Sequence, residues 1–272
     1  MVDQKDKLSK GYRRFGSISA FFIYVFLLAP SAIVMVISFG TIDSMRFPPR
    51  ELSLELYRAF FSDPNWTGPL LQSLKIAICS SAISMILAVP AAYGLTRFDF
   101  PLKRFVGGLI LSPLFIPSII LALGLYLYFS VLGIDGTNTA LLAGHVVYAT
   151  PFVMIVIRAG VVKLDPNLEF AATLMGATRR SMFFTVVLPQ LLPSILSGWL
   201  FAFLISFDEV VLAWFLVGPN TMTLPVKMFS SIQWEISPII AAVSTMLTVL
   251  SFLICLPAAF LQRSSSAVDV IH

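Results

Sequence analysis

The sequence predicts an all-α polytopic membrane protein with six transmembrane helices, and three observations lead there. Of its 272 residues, 58% are hydrophobic and only 12% are charged, about half the charge density of an ordinary soluble domain. The mean hydropathy is +0.91. The apolar residues gather in six continuous runs, at about 16–40, 70–96, 105–132, 139–162, 190–217 and 238–261. Each can supply the roughly 20 residues that a hydrocarbon core requires. The runs lack the strict alternation of a barrel strand, so helices, which satisfy their own backbone groups, are the expected spanning form.

Taken in order, the chain opens with a basic tail, residues 1–15, carrying Lys5, Lys7, Lys10, Arg13 and Arg14. The first span, 16–40, is longer than the apolar region of a signal peptide and no small-x-small cleavage site follows it, so it reads as an uncleaved anchor. Residues 41–68 form an outer loop, in which Leu52 to Phe61 has an amphipathic helical pattern. Tyr57 and Trp66 suit an interfacial aromatic belt, so a helix lying in the membrane interface is expected there. Residues 69–262 make a core of five spans, and 263–272 a short tail beginning with Arg263.

Lysine and arginine set the orientation. The loop after the second span has Arg97, Lys103 and Arg104, and the loop after the fourth has Arg158, Lys163, Arg179 and Arg180. The alternate side offers only Arg46, Arg50, Arg58 and Lys227. The asymmetry places both termini and the fourth loop in the cytoplasm. It also accounts for a pI near 9.2 with no call for a nucleic-acid partner.

Signatures of catalysis are missing. The sequence has no G-x-x-x-x-G-K-[ST], no G-x-G-x-x-G opening a helix after a strand, and no H-E-x-x-H, so any energy source comes from another chain or an ion gradient. Cys79 and Cys255 both fall inside spans, which speaks against a disulfide framework or a metal site. His145, in "AGHVVY", is expected to hydrogen-bond between helices.

Two stretches carry more information. The first is "LEFAATLMGATRRSMFFTVVLPQLLP", Leu168 to Pro193, which is helical in pattern but too polar to span. Asp165 suits an N-cap and Pro166 the first helical position. On one helix over about 166–182, Glu169, Thr173, Gly176 and Arg180 form a polar stripe. Phe170, Leu174 and Ala177 flank it on one side, and Leu168, Ala171, Ala172 and Met175 on the other. Two apolar faces on a cytoplasmic helix suit one surface packed on its own chain and one for a partner, or else an interfacial helix. Gly176 would let a neighbouring backbone approach, and Leu188-Pro189 would end the segment. The second stretch holds Asp208 and Glu209 inside the fifth span. Intramembrane acids cost about 2.5–3.5 kcal/mol on insertion scales and mark a pathway or a buried pair. Adjacent side chains on a helix point about 100° apart, so one is expected inward and the other needs a partner.

The run Phe170-Ala171-Ala172, three residues, Gly176, nine residues, Val186, one residue, Leu188-Pro189 resembles the cytoplasmic "EAA" loop of binding-protein-dependent ABC importer permeases. "PAAYGLTRFDFPLKR", "LILSPLFIPSIILALGLYL" and "YATPFVMIVIRAGVVKLDPNLEFAATLMGA" are similar to the same family, over roughly residues 69–262. The resemblance implies a type I ABC importer (MetI-like) permease fold in a bacterial inner membrane. It implies no cofactor in this chain, with ATP-Mg bound by a partner. It also implies a coupling role toward that partner for Glu169, Phe170, Ala171, Ala172, Gly176, Leu188 and Pro189. The implied partners are a second permease chain (a heterodimer), two copies of an ABC ATPase subunit and a periplasmic solute-binding protein. The sequence departs from the family pattern at Phe170, which stands where the family has glutamate, with Glu169 one residue earlier. "SFDEVV…TLPVKMFS…EISPIIAA" resembles spermidine/putrescine-type permeases, the second permease chain especially. Polyamine is therefore the expected solute, with Asp208 and Glu209 as candidate pathway residues. Ferric iron, an aminophosphonate or an opine-like compound stand behind it. A self-contained secondary transporter is the alternative from another class, and the inverted repeat common in that class is not evident.

Overall fold

The structure, a computed structural model, describes residues 2–43, 46–234 and 237–266. These are helical, with no strand among them. The first six helices are α1 (Val2–Ile37), α2 (Glu55–Ser62), α3 (Pro64–Arg97), α4 (Lys103–Leu111), α5 (Ser118–Val131) and α6 (Asn138–Lys163). There follow α7 (Pro166–Leu174), α8 (Arg179–Met182), α9 (Leu188–Phe207), α10 (Val211–Leu216), α11 (Leu224–Trp234) and α12 (Ile239–Ser266). Four stretches are long and apolar enough to cross a membrane: Ser19–Ile37 of α1, α3, α6 and Arg179–Phe207. The pair Lys103–Phe115 and Ser118–Val131 makes a fifth if taken as one bent span, and the apolar part of α12, Ile239–Leu253, lies where the sixth run was expected. The side chains of Lys5, Lys7, Lys10, Arg13, Arg14, Cys255 and Arg263 lie outside those described.

The third and fifth apolar runs are not the straight spans expected. The third turns by 108° between its two helices. Pro113 opens a 3₁₀ turn over Ser112–Phe115, and Ile116 is extended with ψ 127°. A residue before proline is pushed out of the helical region by the ring that follows, so Ile116-Pro117 enforces the corner. The fifth run stops at Phe207 and restarts at Val211 as the short α10. Asp208 and Glu209 therefore sit at a break and not within a continuous helix.

The chain divides into two compact units. In the unit made of residues 1–64 and 231–272, α1 and α2 both pack on α12. The amphipathic loop segment does form a helix, α2, but its apolar stripe is turned inward: Leu56 and Phe60 are each 1% exposed. The Tyr57 hydroxyl shares a 2.7 Å hydrogen bond with Ser38 Oγ. This segment packs on its own chain where an interfacial helix was expected.

The second unit, residues 65–230, is built on α6. Its longest contact is with α9. Gly160 makes that approach possible, since a Cβ there would collide with the Ser194 side chain. Nearer the start of α6, a Cβ on Gly144 would collide with Leu216 and Leu212 of α10. Small residues at crossing points are the usual way for membrane helices to gain van der Waals contact. α10 also packs on α5, so the second pieces of the two broken runs support one another. Ala122, Phe129, Leu141, Leu212 and Leu216 form their shared core. Trp66, expected in an aromatic belt, is buried at 3% exposure, with the Lys227 ammonium 5.4 Å from its ring centre. His145 is 1% exposed and hydrogen-bonds through Nδ1 to Ser206 Oγ at 2.8 Å. Ser206 also accepts from Ser80 at 2.8 Å, so α3, α6 and α9 meet in a small polar knot.

Candidate functional site

The site grows from the end of α6. Leu164 is extended, and Asp165 accepts a 2.9 Å hydrogen bond from the Asn167 amide, with Pro166 in the first turn, so α7 starts with its first turn capped. Residues three apart on a helix share a face, and here Glu169 and Ala172 point inward. Glu169 accepts a 2.7 Å hydrogen bond from the Tyr93 hydroxyl and makes a 2.8 Å ion pair with Arg97 Nε. Arg97 in turn donates to the Leu164 carbonyl at 2.8 Å. Both members of the ion pair are largely buried, at 17% and 14% side-chain exposure. Ala172 joins the core that includes Tyr93, Met182 and Val187. Glu169 therefore binds α7 to the end of α3 in its own chain; as placed, it is an anchor and not a free docking group.

The other side of α7 faces outward. Phe170 is 65% exposed, Leu174 73% and Met175 83%, with Leu168 and Ala171 also exposed. Five neighbouring exposed apolar residues on one short helix and its C-cap are unusual for a surface that meets only water.

The helix expected over about 166–182 ends at Leu174. Gly176 has φ +87°, its amide donates to the Thr173 carbonyl, and the Ala177 amide donates to that of Ala172. These two bonds close the helix as a Schellman turn, in which the residue after the cap must be left-handed. Glycine is favoured at 176 for that reason. A Cβ there would meet nothing within 4 Å, so no close neighbour in this chain accounts for it. The expected polar stripe breaks at this turn, and Arg180 does not continue the face of Glu169.

Thr178 caps the next helical turn by accepting from the Ser181 amide, and Arg179 lies 5.6 Å from the centre of the Phe98 ring. Phe183–Val187 is a π turn. It lets the chain run on into α9, so Leu188-Pro189 does not end the segment as expected; Arg179–Phe207 is continuous. Pro189 lacks an amide hydrogen, and the widened turn just before it accommodates that loss.

At the break after α9 the two acids part company. Asp208 is the C-cap of α9 and exposed. Glu209 is 8% exposed, and its Oε1 accepts a 2.9 Å hydrogen bond from the Leu212 amide. Glu209, one residue before the N-cap Val210, thereby satisfies an amide in the first turn of α10. Among the described residues no group of three His, Cys, Asp or Glu side chains could hold a metal.

Sequence reasoning missed Tyr93 and Arg97 as the anchors of α7, and Gly144 and Gly160 as close-packing points. The pairing of Arg97 with Glu169 had a signal, since both were placed at the same membrane face.

Comparison with known proteins bears on the family and the fold. The family described as binding-protein-dependent transport system inner membrane component matches residues 80–266. The chain is 33% identical over 235 residues to the putrescine transport system permease protein PotI of Escherichia coli strain K12, covering 82% of each protein. It is 28% identical over 246 residues to the spermidine/putrescine transport system permease protein PotC of the same strain, covering 90% of this chain and 92% of that one. Among solved structures, a bacterial ABC transporter involved in import of the acidic polysaccharide alginate has a chain that superposes with TM-score 0.74 at 17% identity, covering 91% of this chain and 95% of that chain. A chain of the MetNI methionine ABC transporter gives TM-score 0.59 at 19% identity, with 72% and 94% covered. These similarities in sequence and fold place the chain in the family of binding-protein-dependent transport system inner membrane components, as a permease subunit.

Proposed function

We propose that this permease subunit forms half of the solute route of a bacterial ABC importer for polyamines, in a heterodimer with a second permease chain. Two ABC ATPase subunits hold ATP-Mg and drive the cycle, and a periplasmic solute-binding protein delivers the cation. Both termini and α7 face the cytoplasm, following the distribution of Lys and Arg along the sequence.

The observation that carries this reading is α7 itself: a stub clamped from behind by Glu169, Tyr93 and Arg97 with a bare apolar face in front. A rigid base with an exposed hydrophobic face suits a surface that a second protein covers and pushes. Phe170, Ala171, Leu174 and Met175 are the contact residues in this reading, Ala172 and Glu169 hold the helix in place, and Gly176 shapes its end. Leu188 and Pro189 lie at the start of α9 and act through its course. Relatives named for putrescine and spermidine transport support a cationic solute. Asp208 is the acid left free to face it, because Glu209 is engaged with the Leu212 amide.

The test is uptake by the complete transporter in proteoliposomes, with labelled putrescine and spermidine set against ferric iron, an aminophosphonate and an opine. The expected result is polyamine uptake that requires ATP, the ATPase and the binding protein together. Uptake by the permease alone under an ion gradient would refute the reading in favour of a secondary transporter. Uptake of another solute with polyamines excluded would keep the importer and overturn the substrate.

A further inference from the structure

Residues of α3, its following loop, α4 and α6 enclose an open cavity of about 920 Å³ within the second unit. Four cations line it, Lys103, Arg104, Arg158 and Lys163, against one acid, Asp99. Lys103 pairs with Asp99 at 2.9 Å. Arg104, Arg158 and Lys163 are exposed and have no acidic partner among the described residues. The remaining wall is apolar: Leu111, Met154, Ile155 and Val162, with Gly107 and Gly108 leaving the floor open. Phe105 and Leu109 continue the apolar surface beside it, at 65% and 61% exposure. The start of α4 also opens here. Leu102 is in the left-handed region at φ 64° and provides no side-chain cap; the Lys103 amide donates to the Phe100 carbonyl at 3.3 Å, and the amides of Arg104 and Phe105 that follow it favour an anion.

We propose that this cavity binds an anionic phospholipid of the inner membrane, best matched by a headgroup with two phosphates, as in cardiolipin. The cations and the α4 amides take the phosphates, and Ile155, Val162 and the flanking Phe105 and Leu109 take the acyl chains. A soluble phosphate would use the cations but leave the adjoining apolar wall uncovered, whereas an amphiphile satisfies both. Basic pockets between membrane helices at the cytoplasmic face have this chemistry. The proposal rests on the cytoplasmic orientation given under the proposed function but not on the solute carried.

The experiment uses the assembled transporter, purified in detergent and examined by native mass spectrometry with added cardiolipin, phosphatidylethanolamine or inorganic pyrophosphate. Retention of cardiolipin is expected, with phosphatidylethanolamine lost at the same activation energy. The triple variant R104Q/R158Q/K163Q should weaken cardiolipin binding by roughly 100-fold, at about fivefold per cation removed. The variant R104K/R158K, which keeps the charges and guards against a folding defect, should retain binding. Equal cardiolipin retention by the triple variant would overturn the site. Displacement of cardiolipin by millimolar pyrophosphate would overturn the lipid in favour of a soluble anion. Binding by the isolated permease but not by the assembled transporter would show that a protein subunit covers the groove. A transporter that fails to form cytoplasm-inward would remove the orientation, a result separable by a topology reporter at Arg104.

Discussion

Phe170→Ala and Glu169→Gln should break different things, although the two residues are neighbours. A phenylalanine side chain presents on the order of 200 Å², and Phe170 is 65% exposed, so about 130 Å² of it remains to be covered. At about 25 cal/mol per Å² that area is worth about 3 kcal/mol when a partner buries it fully. Alanine keeps the Cβ, leaving a loss of about 2–3 kcal/mol, or roughly 30- to 150-fold in ATPase affinity. The permease already covers about 70 Å² of the side chain, part of which the Cβ keeps, so its own stability should change by about 1 kcal/mol.

Glu169→Gln inverts this pattern. The amide still accepts from the Tyr93 hydroxyl, but the charge facing Arg97 Nε is gone. With the pair largely but not fully withdrawn from water, the loss is about 1.5–3 kcal/mol. It should appear in the permease pair without any ATPase present. Thermal unfolding of the permease pair in nanodiscs gives one reading, and titration with purified ATPase subunit gives the other. The reasoning fails if Phe170→Ala lowers the unfolding temperature as much as Glu169→Gln does, or if Phe170→Ala binds the ATPase with unchanged affinity.

Three further outcomes are expected. Because the penalty at Gly176 lies in the backbone, Gly176→Ala and Gly176→Leu should each cost roughly 1–2 kcal/mol in thermal unfolding of the permease pair. Gly176→Asn should cost less, and a far larger loss with Leu alone would indicate a side-chain clash. Gly160→Ala should destabilise the α6–α9 crossing by about 1–3 kcal/mol. Ser194→Ala in the same chain should relieve that loss only in part, since the Ser194 Cβ is also close; full additivity of the two changes would contradict the contact. Glu209→Ala leaves the Leu212 amide without its acceptor at about 1–3 kcal/mol and should lower membrane abundance. Asp208→Asn should preserve abundance and reduce polyamine uptake per molecule, and normal uptake would remove Asp208 from the route.

The places of the apolar helices were legible because burial in lipid demands length and low charge, and both are properties of a window of sequence. The start of the short polar helix was legible as well, from Asp165-Pro166. The reach of α7 was misjudged because glycine has two uses that a single sequence does not distinguish. At Gly144 and Gly160 the missing Cβ makes room for α10 and α9; at Gly176 it permits a left-handed turn in open space. Only the neighbours tell the cases apart. Glu169 shows the same limit: its partners Tyr93 and Arg97 lie 76 and 72 positions earlier in the sequence, so its inward direction depends on packing between α3 and α7.

The breaks in the third and fifth runs were the hardest to read, and the prolines show why. Pro30, Pro69, Pro90, Pro151 and Pro193 all lie inside helices that continue past them. Proline alone is therefore no signal of a break in this chain. At Pro117 it becomes one because Pro113 precedes it by a single turn, and the tight 3₁₀ segment between them leaves Ile116 extended. The fifth run breaks at residues 208–210, where there is no proline. Backbone groups opened inside a membrane must find other partners, and Glu209 supplies one by receiving the Leu212 amide. A carboxylate that looked like a pathway charge is in this way part of what makes the break tolerable. The acid beside it, at the end of α9, is then the one whose position packing leaves unexplained.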